Sequence, residues 1–180
     1  NFNNVAISGG FGTIGIGELF DVGASMFSRY TANIATAEPD GGNFKHFYTA
    51  GSGKNFGRAN EANYADNSMK VIFNSNEYSG FSFAAGFTPN IVEEGAAGTD
   101  AQLGGVTNSK YINFTDITTM VGKYAMEMDG VGIEVAYGVV TGNAGQVAGV
   151  DYDDLEDTVY SAAITYAGFA IDYRKNEAGN

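Results

Sequence analysis

The sequence predicts an all-β chain whose strands form the wall of a transmembrane antiparallel β-barrel, and three observations predict it. First, within 78–89, Phe81, Phe83, Ala85 and Phe87 fall on one face of an extended segment, and Ser82, Ala84, Gly86 and Thr88 fall on the other, because successive side chains of a strand alternate. Aromatics backed by small residues suit a strand with hydrocarbon on one side and a water-filled lumen on the other. Second, the same alternation recurs along the chain in four hairpin-like pairs. Third, turns inside those pairs are short and connections between them are long, which is how membrane barrels place all their long loops at one end.

Composition agrees and excludes several classes. Charged residues make up 17 % of the chain, below the usual ~25 %. The 13 Phe and 11 Tyr with only two Pro favour extended strands. Cysteine is absent, which excludes a disulfide scaffold and a Cys-ligated zinc site. A net charge of −12 argues against nucleic acid as a partner, since nothing here neutralises a run of phosphates. No window holds the ~18–20 apolar residues of a membrane helix. The chain starts without Met or a leader and both ends fall inside the alternation, which predicts a segment of a longer chain.

The first pair runs over 4–8, turns at Gly9-Gly10-Phe11 and returns over 12–18, with Ile14 and Ile16 opposite Thr13, Gly15 and Gly17. The second runs over 68–74 and 80–88; Met69, Val71 and Phe73 face outward, Lys70 and Asn74 inward. The third spans 117–128 and 131–141 around Asp129-Gly130, a strong hairpin signal because both turn positions favour positive φ. Its outward residues are Met120, Tyr124, Met126, Met128, Ile133, Val135, Tyr137 and Val139; Val121, Lys123, Ala125, Glu127, Glu134, Ala136 and Gly138 face inward. The fourth spans 158–167 and 169–175 around Gly168. Tyr160, Ala162, Ile164, Tyr166, Phe169, Ile171 and Tyr173 face outward, Asp172 and Arg174 inward. Tyr78, Tyr124, Tyr137, Tyr160, Tyr166 and Tyr173 suit an interfacial girdle better than a sandwich core.

The long connections cover 19–66, 89–115 and 142–156. In the first, Phe20, Met26, Phe27, Tyr30 and Ile34 are too apolar for a freely solvated loop, and they predict a short helical turn packed on the inner wall.

A resemblance appears at this point. Ile7-Ser-Gly-Gly-Phe-Gly-Thr-Ile-Gly-Ile-Gly-Glu18 resembles the strand pair before the third loop of the general porins of Gram-negative bacteria. After the long insertion, Asp66-Asn-Ser-Met-Lys-Val-Ile-Phe73 and Tyr78-Ser-Gly-Phe-Ser-Phe-Ala84 resemble the strands that follow that loop. The likeness covers most of 5–90; residues 115–175 match by alternation alone. It implies a closed barrel of about sixteen strands, of which this chain supplies about half. Residues 1–180 are then a single barrel segment, with 1–18 a hairpin, 19–66 a constriction loop folded into the lumen and 67–180 further strands and loops. It also implies a homotrimer in the outer membrane of a Gram-negative bacterium, in contact with lipid and lipopolysaccharide. Such a protein passes ions and small hydrophilic solutes by passive diffusion and needs neither cofactor nor catalytic residue.

In that family loop carboxylates face basic wall residues across the constriction. The matching loop residues are Glu38 and Asp40, with Asp21, Arg29, Lys45, Lys54 and Arg58 as further loop charges. Alternation assigns Lys70, Lys123, Glu127, Glu134, Asp172 and Arg174 to the lumen wall. With 21 acidic against 9 basic residues, a weak cation preference is expected, because charges lining a narrow pore act at close range.

Other motifs carry less. His46 lacks partners at ligand or catalytic spacing. Asp151, Asp153 and Asp154 offer hard oxygens of the kind calcium takes but not the EF-hand order; a solvated acidic loop is expected, and calcium is the lesser alternative. Gly10-Phe-Gly-Thr-Ile-Gly15 matches a dinucleotide fingerprint but opens a strand, not a helix. Ser8, Ser52 and Ser68 have no base beside them, and an enzyme is the least expected class. Two alternatives to the porin stand: a small eight-stranded structural or adhesive barrel with a filled interior, and a soluble ligand-binding β-sandwich. The inward positions are mostly small, which leaves room for water.

Overall fold

The computed structural model describes residues 3–27, 68–90, 114–144, 151 and 153–178. They form one antiparallel sheet of eight strands in the order of the chain: β1 (Asn4–Gly9), β2 (Gly12–Glu18), β3 (Met69–Ser75), β4 (Phe81–Asn90), β5 (Phe114–Met128), β6 (Val131–Ala144), β7 (Leu155–Tyr166) and β8 (Phe169–Ala178). One short helix, α1 (Val22–Met26), follows β2. The sheet is open, with β1 and β8 as its edges.

All four predicted hairpins form. Asp129 and Gly130 have φ of 52° and 78°, and Ala167 and Gly168 have φ of 48° and 85°. Positive φ at both turn positions matches the turn's twist to that of the strands it joins. The five-residue turn between β3 and β4 is pinned onto its neighbour: Asn76 Nδ2 donates to Gly10 O at 3.1 Å and Tyr78 Oη donates to the same oxygen at 2.8 Å. Gly80 in this turn has φ +86°, and a Cβ there would lie 2.3 Å from Ala125 O. Only glycine fits there.

The strands run further than the alternation predicts. β5 starts at Phe114 rather than 117, because a register shift between Thr115 and Thr118 interrupts the period of two. At that bulge Asp116 takes φ 53° and its Oδ2 accepts from Asn143 Nδ2 at 3.0 Å. β6 continues through Gly142-Asn143, and β7 begins at Leu155 inside an acidic run. Part of what the sequence predicts as loop is therefore strand.

The two faces of the sheet differ completely. The outward face carries Val5, Ile7, Ile16, Met69, Val71, Phe81, Phe83, Phe87, Met120, Val135, Tyr137, Ile164 and Tyr166, all exposed. Phe169 and Ile171 at the β8 edge reach 78 % and 77 % exposure. Cross-strand aromatic pairs lie on this face, Phe81–Tyr124 at 4.5 Å and Tyr137–Tyr160 at 5.9 Å between centroids. The buried core lies on the other face, where Val22, Met26 and Phe27 cover Ala84, Ile117, Val121, Ala136, Val140 and Val159. This is the reverse of a soluble sheet under one helix, whose far face is polar.

Candidate functional site

The inner face carries every described residue that alternation assigns to the lumen, and it has two zones. The loop-side zone is dry. Ile117 and Val121 on β5, Val140 on β6 and Val159 on β7 point inward there and are buried. These inward side chains are apolar, and an apolar sheet face needs a cover to keep it from water. α1 supplies it, packing on β3, β4 and β5. Phe27 reaches further, onto β6: a Cβ on Gly138 would stand 2.9 Å from Phe27 Cζ and 3.1 Å from Val121 Cγ2. Glycine at 138 is what lets the ring lie on the sheet. The expected helical turn is thus present, with Met26 and Phe27 packed as predicted. Phe20 is exposed instead, and Tyr30 and Ile34 lie outside the described residues.

Asp21 and Lys70 anchor this cover. Asp21 is the N-cap of α1; its Oδ1 accepts from Gly23 N at 3.5 Å and its Oδ2 from Thr119 Oγ1 at 3.1 Å. It is 2 % exposed. Lys70, 3 % exposed, extends from β3 and donates through Nζ to Leu19 O at 2.5 Å and Ser68 O at 2.9 Å. Asp21 and Lys70 are both inside this packing, where the Lys70 charge acts on the Asp21 carboxyl.

Burial pushes the Asp21 carboxyl up from 3.8 to about 6, against the opposing pull of Lys70, the Thr119 hydroxyl and the N–H groups of Gly23 and Val22. The folded value lies above the unfolded one, so the docked state binds the proton more tightly. Docking of α1 therefore strengthens as pH falls from about 6 towards 3.8, is unchanged below that, and is weakest above 6. The shift corresponds to at most about 3 kcal/mol. Amide exchange measured over 22–27, corrected for intrinsic rates, is expected to slow across this window. Asp21→Asn should flatten the profile; an unchanged slope in that variant would refute the assignment.

The turn-side zone is charged, and its pattern is set by strand register. Ser82, Lys123, Ala136, Ser161 and Arg174 are successive cross-strand partners from β4 to β8 and form one inward row. The next row towards the turns is Ala125, Glu134, Ala163 and Asp172. A row with two cations thus stands beside a row with two carboxylates, with small residues between the charges of each. Lys123 and Glu134 pair diagonally across the rows at 3.7 Å. Closer to the turns, Glu127 and Glu134 line a depression of about 320 Å³ together with Glu77, Gly132 and Thr165. Arg174 inclines the other way, with Cζ 5.6 Å from the centroid of the Phe27 ring.

Of the residues singled out in the sequence, Lys123, Glu127, Glu134, Asp172 and Arg174 share this zone, while Asp21 and Lys70 sit in the dry one. Glu38, Asp40, Arg29, Lys45, Lys54, Arg58 and His46 lie outside the described residues. Asp151, Asp153 and Asp154 are exposed; Asp154 Oδ1 accepts from Ala144 N at 2.9 Å, tying the start of β7 to the end of β6. Among the described residues no group of three or more His, Cys, Asp or Glu side chains is placed to hold a metal ion. The segment Gly10–Gly15 is a turn and the start of β2, with no helix after it. Alternation alone does not point to Thr119, Val22 or Gly138. The signal that does is the run of β-branched residues at inward positions 117, 121, 140 and 159. Compared with protein-family models, with curated proteins and with solved structures, the chain matches none of them.

Proposed function

We propose that this chain is part of the wall of an outer-membrane β-barrel through which ions and small hydrophilic solutes diffuse passively, filtered by size and by lumen charge. One observation carries the proposal: an exposed apolar band runs across the outward face of all eight strands, from Val5 on β1 to Tyr173 on β8. Monomeric soluble proteins rarely expose a contiguous apolar patch beyond a few hundred Å², whereas a barrel wall presents such a band to acyl chains. Strand length adds support. About 9–11 tilted residues cross the hydrocarbon layer, and β5, β6 and β7 have 15, 14 and 12. Backbone groups at an open sheet edge are not tolerated in hydrocarbon. β1 and β8 therefore each need a strand partner in the membrane.

Reconstitution of the intact protein into planar lipid bilayers tests this. Stepwise, ohmic conductance is expected, and the reversal potential in a salt gradient should show a weak cation preference, given 21 acidic against 9 basic residues. Anion selectivity would overturn the charge filter. Absence of conducting steps would overturn the channel and favour a filled structural barrel, whose supporting observation is the dry packing of α1 on the inner wall.

A further inference from the structure

Towards the loops the outward face changes from apolar to polar, and the line of change does not follow the strand register. The row Phe81, Tyr124, Val135, Ala162 and Tyr173, one residue per strand from β4 to β8, carries no charge. One row nearer the loops, Phe83, Gly122, Tyr137 and Tyr160 lead to Lys175 on β8, the first charged group. In the next row Ala85, Met120 and Val139 give way to Thr158 on β7 and Glu177 on β8. In the row after that only Phe87 on β4 is apolar, and Thr118, Thr141 and Glu156 follow. The polar boundary thus stands two rows nearer the loops on β5 than on β8. Two rows of about 6.7 Å against three strand spacings of about 4.8 Å give a slope of about 45°.

The turns are staggered in the same sense. Ile7, Ile14, Phe73, Ala85, Met120 and Val139 form one row across β1 to β6. From it the β1–β2 turn is one row away, at Gly9, and the β5–β6 turn is four rows away, at Val131. Three rows over four strand spacings again give about 45°. Barrel strands tilt by about 35–45°, and a membrane plane across tilted strands cuts their rows at that same angle. The boundary also has the chemistry of a membrane interface. The Tyr160 hydroxyl donates to Glu177, which Lys175 also meets. A ring in the apolar band with its hydroxyl among charges is how tyrosine sits between acyl chains and water.

We propose that the lipid headgroup layer meets this wall along Thr118, Thr141, Thr158 and Lys175, oblique to the strand register, with the strands inclined by about 45° to the membrane normal. The placement rests on the membrane wall proposed above, not on conduction. It assigns different depths to residues that share a row. Phe83 lies about 10 Å deeper than Tyr160, three strands away, although upright strands would put them level. Tyr160 and Tyr173, one row apart, come within about 2 Å of the same depth, where upright strands would separate them by about 7 Å.

Tryptophan fluorescence measures these depths. Residues 1–180 contain no Trp, so Phe83→Trp, Tyr160→Trp and Tyr173→Trp each add one indole at a position that is already aromatic. The intact variants are reconstituted into phosphatidylcholine vesicles brominated at shallow or at deep acyl positions, and quenching is read relative to the parent. Deep bromines should quench Phe83→Trp most. Shallow bromines should quench Tyr160→Trp and Tyr173→Trp most, and to the same degree. A Phe83 indole no deeper than that of Tyr160, or a Tyr173 indole about 7 Å below it, would overturn the oblique line while leaving the wall in the membrane. No quenching at any position by either lipid would overturn the wall itself. Should an aromatic variant fail to insert, Met120→Trp and Thr158→Trp decide the same question, because they share a row two strands apart. The oblique line places Met120 about 7 Å deeper than Thr158, and equal depths would refute it.

Discussion

Lys70→Met is expected to weaken the docking of α1 by about 3–5 kcal/mol, the cost of removing one member of a buried charge set. Methionine keeps most of the stem but loses the donor that satisfies Leu19 O and Ser68 O. It also removes the positive charge that pulls the Asp21 carboxyl down. Asp21 then titrates higher still, so the loosening is largest at neutral pH and smaller in acid. Asp21→Asn in the same background should recover much of the loss, because it removes the buried carboxylate charge that Lys70 no longer offsets. The double-mutant cycle, read by denaturant unfolding and by proteolysis within 19–27, should show strong non-additivity. Additive effects, or a single variant within about 0.5 kcal/mol of the parent, would mean that Asp21 and Lys70 do not act together.

Val135→Arg addresses the other half of the structure. Val135 is in the turn-side half of β6, 44 % exposed on the outward face, between Ile133 and Tyr137. If that face touches acyl chains, arginine there costs about 2–4 kcal/mol near the bilayer midplane. If it touched water, the same change at a half-exposed position would fall within about 0.5 kcal/mol. Ala125→Arg supplies the contrast: Ala125 is on the inner face beside the Glu127 and Glu134 depression, where a cation has carboxylates to meet. Reversible urea unfolding from phospholipid vesicles measures both. Equal tolerance at the two positions would rule out an outward face in hydrocarbon.

How much of the molecule the sequence discloses differs by element. Asp129-Gly130 and Gly168 mark their turns because few residues accept the φ those turns need, and the strands beside them pair as the alternation implies. The strand ends facing the long loops are less legible. The Asp116 bulge breaks the period of two, and the acidic residues before Leu155 look like loop while the backbone is already entering the sheet. Asp21 looks like a pore carboxylate by its place at the root of the loop. It is a buried cap instead, because Thr119, distant in sequence, comes opposite it. Gly138 looks like an ordinary inward glycine until Phe27 is set on it.

Local rules therefore determined the eight alternating strands, their outward apolar side and their short turns, since each follows from side-chain parity or from the φ that a turn demands. Tertiary structure decided which inward positions stay dry, which carboxylate is buried, and that Lys123 and Arg174 share a row beside Glu134 and Asp172. Register sets those juxtapositions, and register depends on how whole strands pair rather than on any one residue's neighbours in the chain.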